Sequence, residues 1–281
     1  MEWLLFSNLF IALCAAGLVW ESEILLGISD RIEPVSILVF CATLFLYGGH
    51  RMLALRRIPD ENRNRQLKWS RKYQFAIFIL TLAGGGMVAS VSFSIYFPAF
   101  LLLIPMGVIS ILYELPIIKM KSGYKSLREI GFLKIIWITI VWSAITVLLP
   151  AFHNHETVQS LQVATVFIMR MALIFSLGLA FDLRDAKYDA AAGLRTLPLR
   201  LGRSKTIRLI AYCLMFYFVV ALIQFCTFQH FDYGKLACAA ITGLLGYRLI
   251  IAATISDRWY YYPLYVDGIM LLNFLLLQID K

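Results

Sequence analysis

Long uncharged apolar runs alternate along this chain with short segments that carry nearly all of its charge. A helix needs about 20 predominantly apolar residues to cross a bilayer. Residues 3–20 are uncharged, residues 34–50 likewise, and residues 73–113 form one uncharged stretch of 41. That stretch is long enough for two spans, and residues 92–98, which include Pro98, predict the break between them. Further runs cover 135–152, 157–181 (interrupted only by Arg170), 209–229, 236–256 (Arg248) and 259–279 (Asp267). The pattern predicts an all-α fold, a polytopic membrane helical bundle of about nine transmembrane helices, with residues 1–281 as one domain.

Charge then orients the bundle. The segments 51–72, 119–134 and 182–208 hold 20 of the 26 Lys and Arg residues, and in a nine-span arrangement all three fall on one side. The opposite segments, near Glu21–Glu33, His153–Glu156 and His230–Gly234, are acidic or nearly uncharged. Cytoplasmic loops collect Lys and Arg, so the basic side and the N-terminus are expected in the cytoplasm and the C-terminus outside. A bacterial inner membrane is the expected location. The composition fits, with 60% hydrophobic and only 15% charged residues, too little charge to cover a soluble domain. A net charge of +9 raises the question of nucleic acid, but that partner needs a solvated basic domain, and these cations sit in short loops. No nucleic-acid role is expected. The five cysteines lie inside apolar runs without metal-ligand spacing, so neither disulfide nor zinc is implied. The N-terminus lacks the positive region of a cleaved signal peptide.

The strongest chemical signal follows the sixth run. Asp182, Asp185 and Asp189 stand at i, i+3 and i+7. On a helix Asp182 and Asp189 lie about 20° apart and Asp185 about 60° from them, so all three share one face over roughly 10 Å. Like charges so placed repel unless a cation sits among them. A short ladder of hard oxygens suits Mg²⁺, which recruits substrate phosphates. The bland reading is a solvated helix end balanced by Arg184 and Lys187. Gly193 is placed to end the helix, and Pro198 to keep it from resuming.

The run DLRDAKYDAAAGLRTLPLRLG resembles the second aspartate-rich motif of the UbiA-type membrane prenyltransferases, D-x-x-D-x-x-x-D followed by G-x-x-T-L-P-x-x-L-G. Asp182, Asp185, Asp189, Gly193, Thr196, Leu197, Pro198, Leu201 and Gly202 fill every fixed position. The nine-span layout is similar to that family as well. The resemblance implies an enzyme that binds an allylic isoprenoid diphosphate through Mg²⁺, ionises it and passes the prenyl group to an aromatic or other lipophilic acceptor. It implies that Asp182, Asp185 and Asp189 hold Mg²⁺, with Asp182 and Asp185 central to catalysis. Lys119, Lys134, Arg184 and Arg195 become candidate diphosphate contacts. The segment Tyr113 to Lys119 loosely resembles the family's Tyr…Lys segment.

The family's first motif, N-D-x-x-D or similar, belongs at the end of the second span. Here that place reads LYGGHRMLALRR, with no carboxylate, and the nearest acids are Asp60 and Glu61. Two readings stand. His50 and Arg51 contact the diphosphate in place of metal-held charge, or the site binds an isoprenoid diphosphate or lipid without chemistry. Arg170, about 18 Å along the helix before Asp182, falls near mid-membrane and needs an interior partner, for which Asp267 is the candidate by charge. Arg170 and Asp267 also motivate a secondary transporter, although no internal repeat supports one.

Overall fold

Without water to satisfy them, backbone groups in a bilayer must bond within their own segment, which helices accomplish. The computed structural model describes residues 1–28, 32–58, 64–120, 123–131, 133–155, 158–228, 233–256 and 258–279. Asp60, Glu61, Glu156, His230 and Asp257 lie outside them.

The chain opens with α1 (Glu2–Phe6), α2 (Leu9–Leu26), α3 (Pro34–Arg57), α4 (Arg65–Lys72), α5 (Gln74–Ser92) and α6 (Phe97–Glu114). A small antiparallel hairpin, β1 (Ile118–Met120) and β2 (Gly123–Lys125), then leads to α7 (Leu133–Ser143). A π-helical turn over Ala144–Leu148 joins α7 to α8 (Leu149–His153). There follow α9 (Ser160–Ala191), the one-turn α10 (Leu197–Leu201), α11 (Arg203–Phe228) and α12 (Tyr233–Ile255). A π-helical stretch, Tyr261–Val266, runs into α13 (Asp267–Ile279).

Among the described residues, seven helical segments are long and apolar enough to cross a membrane: α2, α3, α5, Leu133–His153, α9, α11 and α12. The two other expected spans are the shorter α6, which carries Pro105 inside it, and the π stretch that runs into α13. Length and apolarity thus single out seven candidate spans among the described residues, and do not bear out the count of nine. The predicted break is present, because α5 ends at Ser92 and α6 opens at Phe97 with Pro98 in its first turn. The outward faces keep large apolar side chains, such as Phe75, Phe93 and Leu244 at 73%, 92% and 72% exposure. Lipid tails, not water, suit such a surface. No disulfide joins any of the five cysteines.

At the centre of the main core α9 packs against α2, α7, α11 and α12. There the structure corrects the partner expected for Arg170. Its Nη1 donates to Glu21 Oε2 at 3.0 Å, and its Nη2 to the Leu18 carbonyl and Ser22 Oγ, both at 3.0 Å. Glu21 Oε1 accepts from Asn273 Nδ2 at 2.7 Å, and Thr242 Oγ1 donates to Asn273 Oδ1 at 3.1 Å. Asp267 instead lies within electrostatic reach of Arg184. The first charge after a run marks a span's end in sequence, so Glu21 reads as loop. In three dimensions α2 continues to Leu26 and carries Glu21 into the core, where both Arg170 and Glu21 are 1% exposed. This polar network ties α2, α9, α12 and α13 together.

Removing one partner of a buried ion pair strands the other charge, which costs about 3–5 kcal/mol. Arg170→Met is expected to destabilise by that amount in thermal unfolding of the detergent-solubilised protein. Arg170→Met combined with Glu21→Gln is expected to cost less than the sum of the two singles, and strict additivity would show that the pair is not coupled.

Candidate active site

Two elements assemble the site. Helix α9 supplies the aspartates from its last turns, and α7 begins directly against it, with Ile135 packed on Gly178. Gly178 lies one turn before Asp182, and Ile135 is next to Lys134, so this crossing aims the lysine at the aspartate. Lys134 Nζ stands 2.8 Å from Asp182 Oδ1 and 3.9 Å from Asp189 Oδ2. Asp182 is 1% exposed and Asp189 8%. Asp185 turns aside: its carboxylate accepts from Arg184 Nε at 2.7 Å and Nη2 at 3.1 Å. The Arg184 guanidinium also lies 4.9 Å from the ring centres of both Phe181 and Tyr262.

The backbone on either side of this cluster is built for close approach. Helix α9 ends as expected at a left-handed glycine, Gly193 at φ +70°, with Gly193 N–H bonded to the Ala190 carbonyl and Leu194 N–H to that of Asp189. Pro198, however, does not stop the helix from resuming. It sits in the first turn of α10, where its missing N–H and fixed φ cost nothing. Ahead of α7, Gly131 adopts φ +46°, and a Cβ there would lie 2.9 Å from the Arg195 carbonyl oxygen. The loop after α9 therefore docks onto the residue that launches α7.

These residues fit a divalent cation in part. Among the described residues no three His, Cys, Asp or Glu side chains converge on a metal position. Yet Asp182 Oδ2 and Asp189 Oδ2 are buried with no hydrogen-bond partner. Such orphaned anionic oxygens suit a hard cation that completes its shell with water and phosphate. Asp182 and Asp189 present these open oxygens, while both oxygens of Asp185 face Arg184.

One turn beyond Lys134, Trp137 and Ile138 line a cavity of about 490 Å³ between α3, α6 and α7. Much of its lining is apolar, and Tyr47, His50, Arg51, Asn64, Gln66 and Arg128 are polar members of it. His50 and Arg51 thus border this cavity rather than the aspartates' own cluster. Arg51 donates to the Phe6 carbonyl at 3.0 Å, Ser70 Oγ at 3.1 Å and Asn8 Oδ1 at 2.6 Å, all neutral groups. It clamps α3 to the α1–α2 junction and to α4. Lys119 is exposed on the hairpin, and Arg195 is exposed in the loop after α9, while Tyr113 borders the cavity. Sequence reasoning passed over the cavity residues Tyr47, Asn64, Gln66 and Arg128. The signal for Tyr47 was available, since it stands one turn before His50 and Arg51 on the same helix.

Residues 60–262 match the model of the UbiA prenyltransferase family. The chain belongs to that family. It is an integral multi-pass membrane protein. The family match begins at residue 60, just past the end of α3 at Arg57. No curated protein sequence matches the chain. Solved structures with the same fold include a UbiA homologue from Archaeoglobus fulgidus bound to Cd²⁺, at TM-score 0.63 and 10% identity, covering 99% of this chain and 100% of that one. A UbiA homologue from the same organism bound to GPP and Mg²⁺ aligns at TM-score 0.59 and 11% identity, over 100% of this chain and 99% of that one. A digeranylgeranylglyceryl phosphate synthase aligns at TM-score 0.60 and 14% identity, over 99% and 97%.

The Gly131 approach gives a direct check on the assembly. Gly131→Ala is expected to destabilise by about 1–3 kcal/mol, because the side chain meets backbone at a left-handed φ. Thermal unfolding measures this, and an unchanged midpoint would mean that the loop after α9 gives way freely.

Proposed function

We propose that this protein transfers a prenyl group from an isoprenoid diphosphate to a lipophilic or aromatic acceptor within the membrane, in a Mg²⁺-dependent reaction. The observation that carries this reading is the buried Asp182–Lys134–Asp189 cluster beside an apolar cavity, in a chain of the UbiA prenyltransferase family. Asp182 and Asp189 would hold Mg²⁺. When bound, that ion supplies positive charge for the leaving diphosphate. Lys134 adds a second, tethered charge on the same side. The apolar cavity wall receives the prenyl chain and keeps water from the allylic cation. The indole faces of Trp137 and Trp142 in that wall are chemically suited to stabilising such a cation. The atoms balance: the C–O bond to diphosphate breaks, the acceptor carbon bonds to the prenyl carbon, and the acceptor loses a proton. The basic loops and the aspartate cluster are assigned to the cytoplasmic side, in keeping with the charge distribution.

A second reading, an isoprenoid-diphosphate or lipid-binding protein without turnover, is favoured by one observation. Helix α3 offers no carboxylate where the family's first motif belongs, and Arg51 is engaged with neutral protein groups. The transporter reading is weakened, because Arg170 is paired with Glu21 inside the core.

Purified protein is given radiolabelled geranyl, farnesyl or geranylgeranyl diphosphate together with a lipid extract of native membranes, with and without Mg²⁺. Labelled product is expected from wild type with Mg²⁺, and about a hundredfold less or none from Asp182→Asn. Donor binding without product from any of the three would support the second reading.

A further inference from the structure

The aspartate ladder already contains a cation of its own. Lys134 Nζ lies within 4 Å of both Asp182 and Asp189, and its side chain is only 12% exposed. With Asp185 held by Arg184, the remaining set is two carboxylates and one ammonium, a single net negative charge. A divalent cation entering that set alone meets a positive charge across a few ångströms of poorly screened space, which cancels much of the pull of the two carboxylates.

The two basic partners differ in kind. Arg184 grips Asp185 with a planar two-pronged fork. Lys134 ends in a compact point charge on a flexible four-carbon stem, and it leaves Asp182 Oδ2 and Asp189 Oδ2 without hydrogen bonds. A buried pair that fails to satisfy its own acceptors is incomplete as it stands. A diphosphate alters the balance, because its oxygens offer the ammonium new partners and free the carboxylates for a metal.

We propose that Lys134 is an exchangeable counter-ion that keeps divalent cations off Asp182 and Asp189 until a diphosphate arrives. This rests on the isoprenoid-diphosphate reading above. Metal and diphosphate then bind as a coupled pair, and the lysine shifts its charge from carboxylate to phosphate oxygens. Lys134 is in this respect a positioning residue, acting through the metal site.

Equilibrium dialysis of the solubilised full chain tests it, with Mn²⁺ as the metal probe and inorganic pyrophosphate at equal concentration in both chambers. Wild type is expected to retain Mn²⁺ about tenfold more tightly or better with pyrophosphate than without. Lys134→Met is expected to bind bare Mn²⁺ about tenfold more tightly than wild type and to lose the pyrophosphate gain. Lys134→Arg, which keeps the charge, is expected to keep bare Mn²⁺ binding weak. Wild type that takes bare Mn²⁺ as tightly as Mn²⁺ with pyrophosphate overturns the proposal, and that comparison stands even if Lys134→Met does not fold. If such pyrophosphate-independent binding disappears in Asp182→Asn, the metal site survives and only the role of Lys134 falls. If Asp182→Asn leaves Mn²⁺ binding with pyrophosphate intact, the donor site itself is misassigned and the proposal falls with it.

Discussion

A charge placed inside a helical membrane bundle has to meet an opposite charge at its own depth, and this constraint shapes α9 at two places. At mid-helix Arg170 would be costly alone. Glu21 answers it at 3.0 Å, and Asn273 and Thr242 extend the arrangement to α13 and α12. Near the end of the same helix, Asp182 and Asp189 are answered by Lys134 from α7. The two solutions differ in completeness. At Arg170 both carboxylate oxygens of the partner are hydrogen-bonded and only the arginine Nε is left over, whereas the Lys134 cluster leaves Asp182 Oδ2 and Asp189 Oδ2, two anionic oxygens, without a bond. The first has the character of a fixed joint. The second has unused bonding capacity beside a cavity, which is where a ligand has something to gain.

Much of this was legible in sequence because the signals are local. The 3.6-residue period placed three aspartates on one face, and α9 carries them there. Pro98 and its neighbours marked the break between α5 and α6, and Gly193 marked the end of α9. The pairings were not legible, because each joins residues far apart in the chain. Lys134 and Asp182 meet only because α7 and α9 cross at Ile135 and Gly178. A basic residue at the start of a run is equally well explained by topology, so its role is invisible without the crossing. Asp267 is the candidate for Arg170 by charge, since Glu21 reads as the first loop residue and only the continuation of α2 shows otherwise. Pro198 shows the same limit locally, since a proline that ends one helix is equally suited to begin the next.

Helix α3 is where this chain leaves its family's pattern. The position of the missing first carboxylate motif holds His50 and Arg51, and Arg51 is spent on the Phe6 carbonyl, Asn8 and Ser70. Those bonds hold the N-terminal junction, where Asn8 takes a left-handed φ of 70°. An arginine with such a task is poorly placed to swing toward a diphosphate, but its charge still borders the cavity, with no carboxylate in ion-pair contact among the described residues. The change from carboxylate to guanidinium therefore removes metal ligands and adds positive potential at the same wall.

That exchange bears on how such a site remains electrostatically workable. Two carboxylate motifs recruit mobile divalent ions to offset a diphosphate, and the charge arrives with the ligand. In the proposed reaction, with one motif left, positive charge has to be built into the protein, and two fixed cations are present, Lys134 against the aspartates and Arg51 bordering the cavity. Fixed cations carry a cost that mobile ones do not, because they compete with the metal for the same carboxylates before the diphosphate is present. A lysine resolves that competition better than an arginine would, since its single ammonium can exchange carboxylate oxygens for phosphate oxygens by rotating its stem, without breaking a two-pronged grip. The placement of Lys134 at Asp182 and Asp189 and of Arg184 at Asp185 follows that division. The carboxylate left out of the exchange has the rigid partner, and the two with open oxygens share the mobile one.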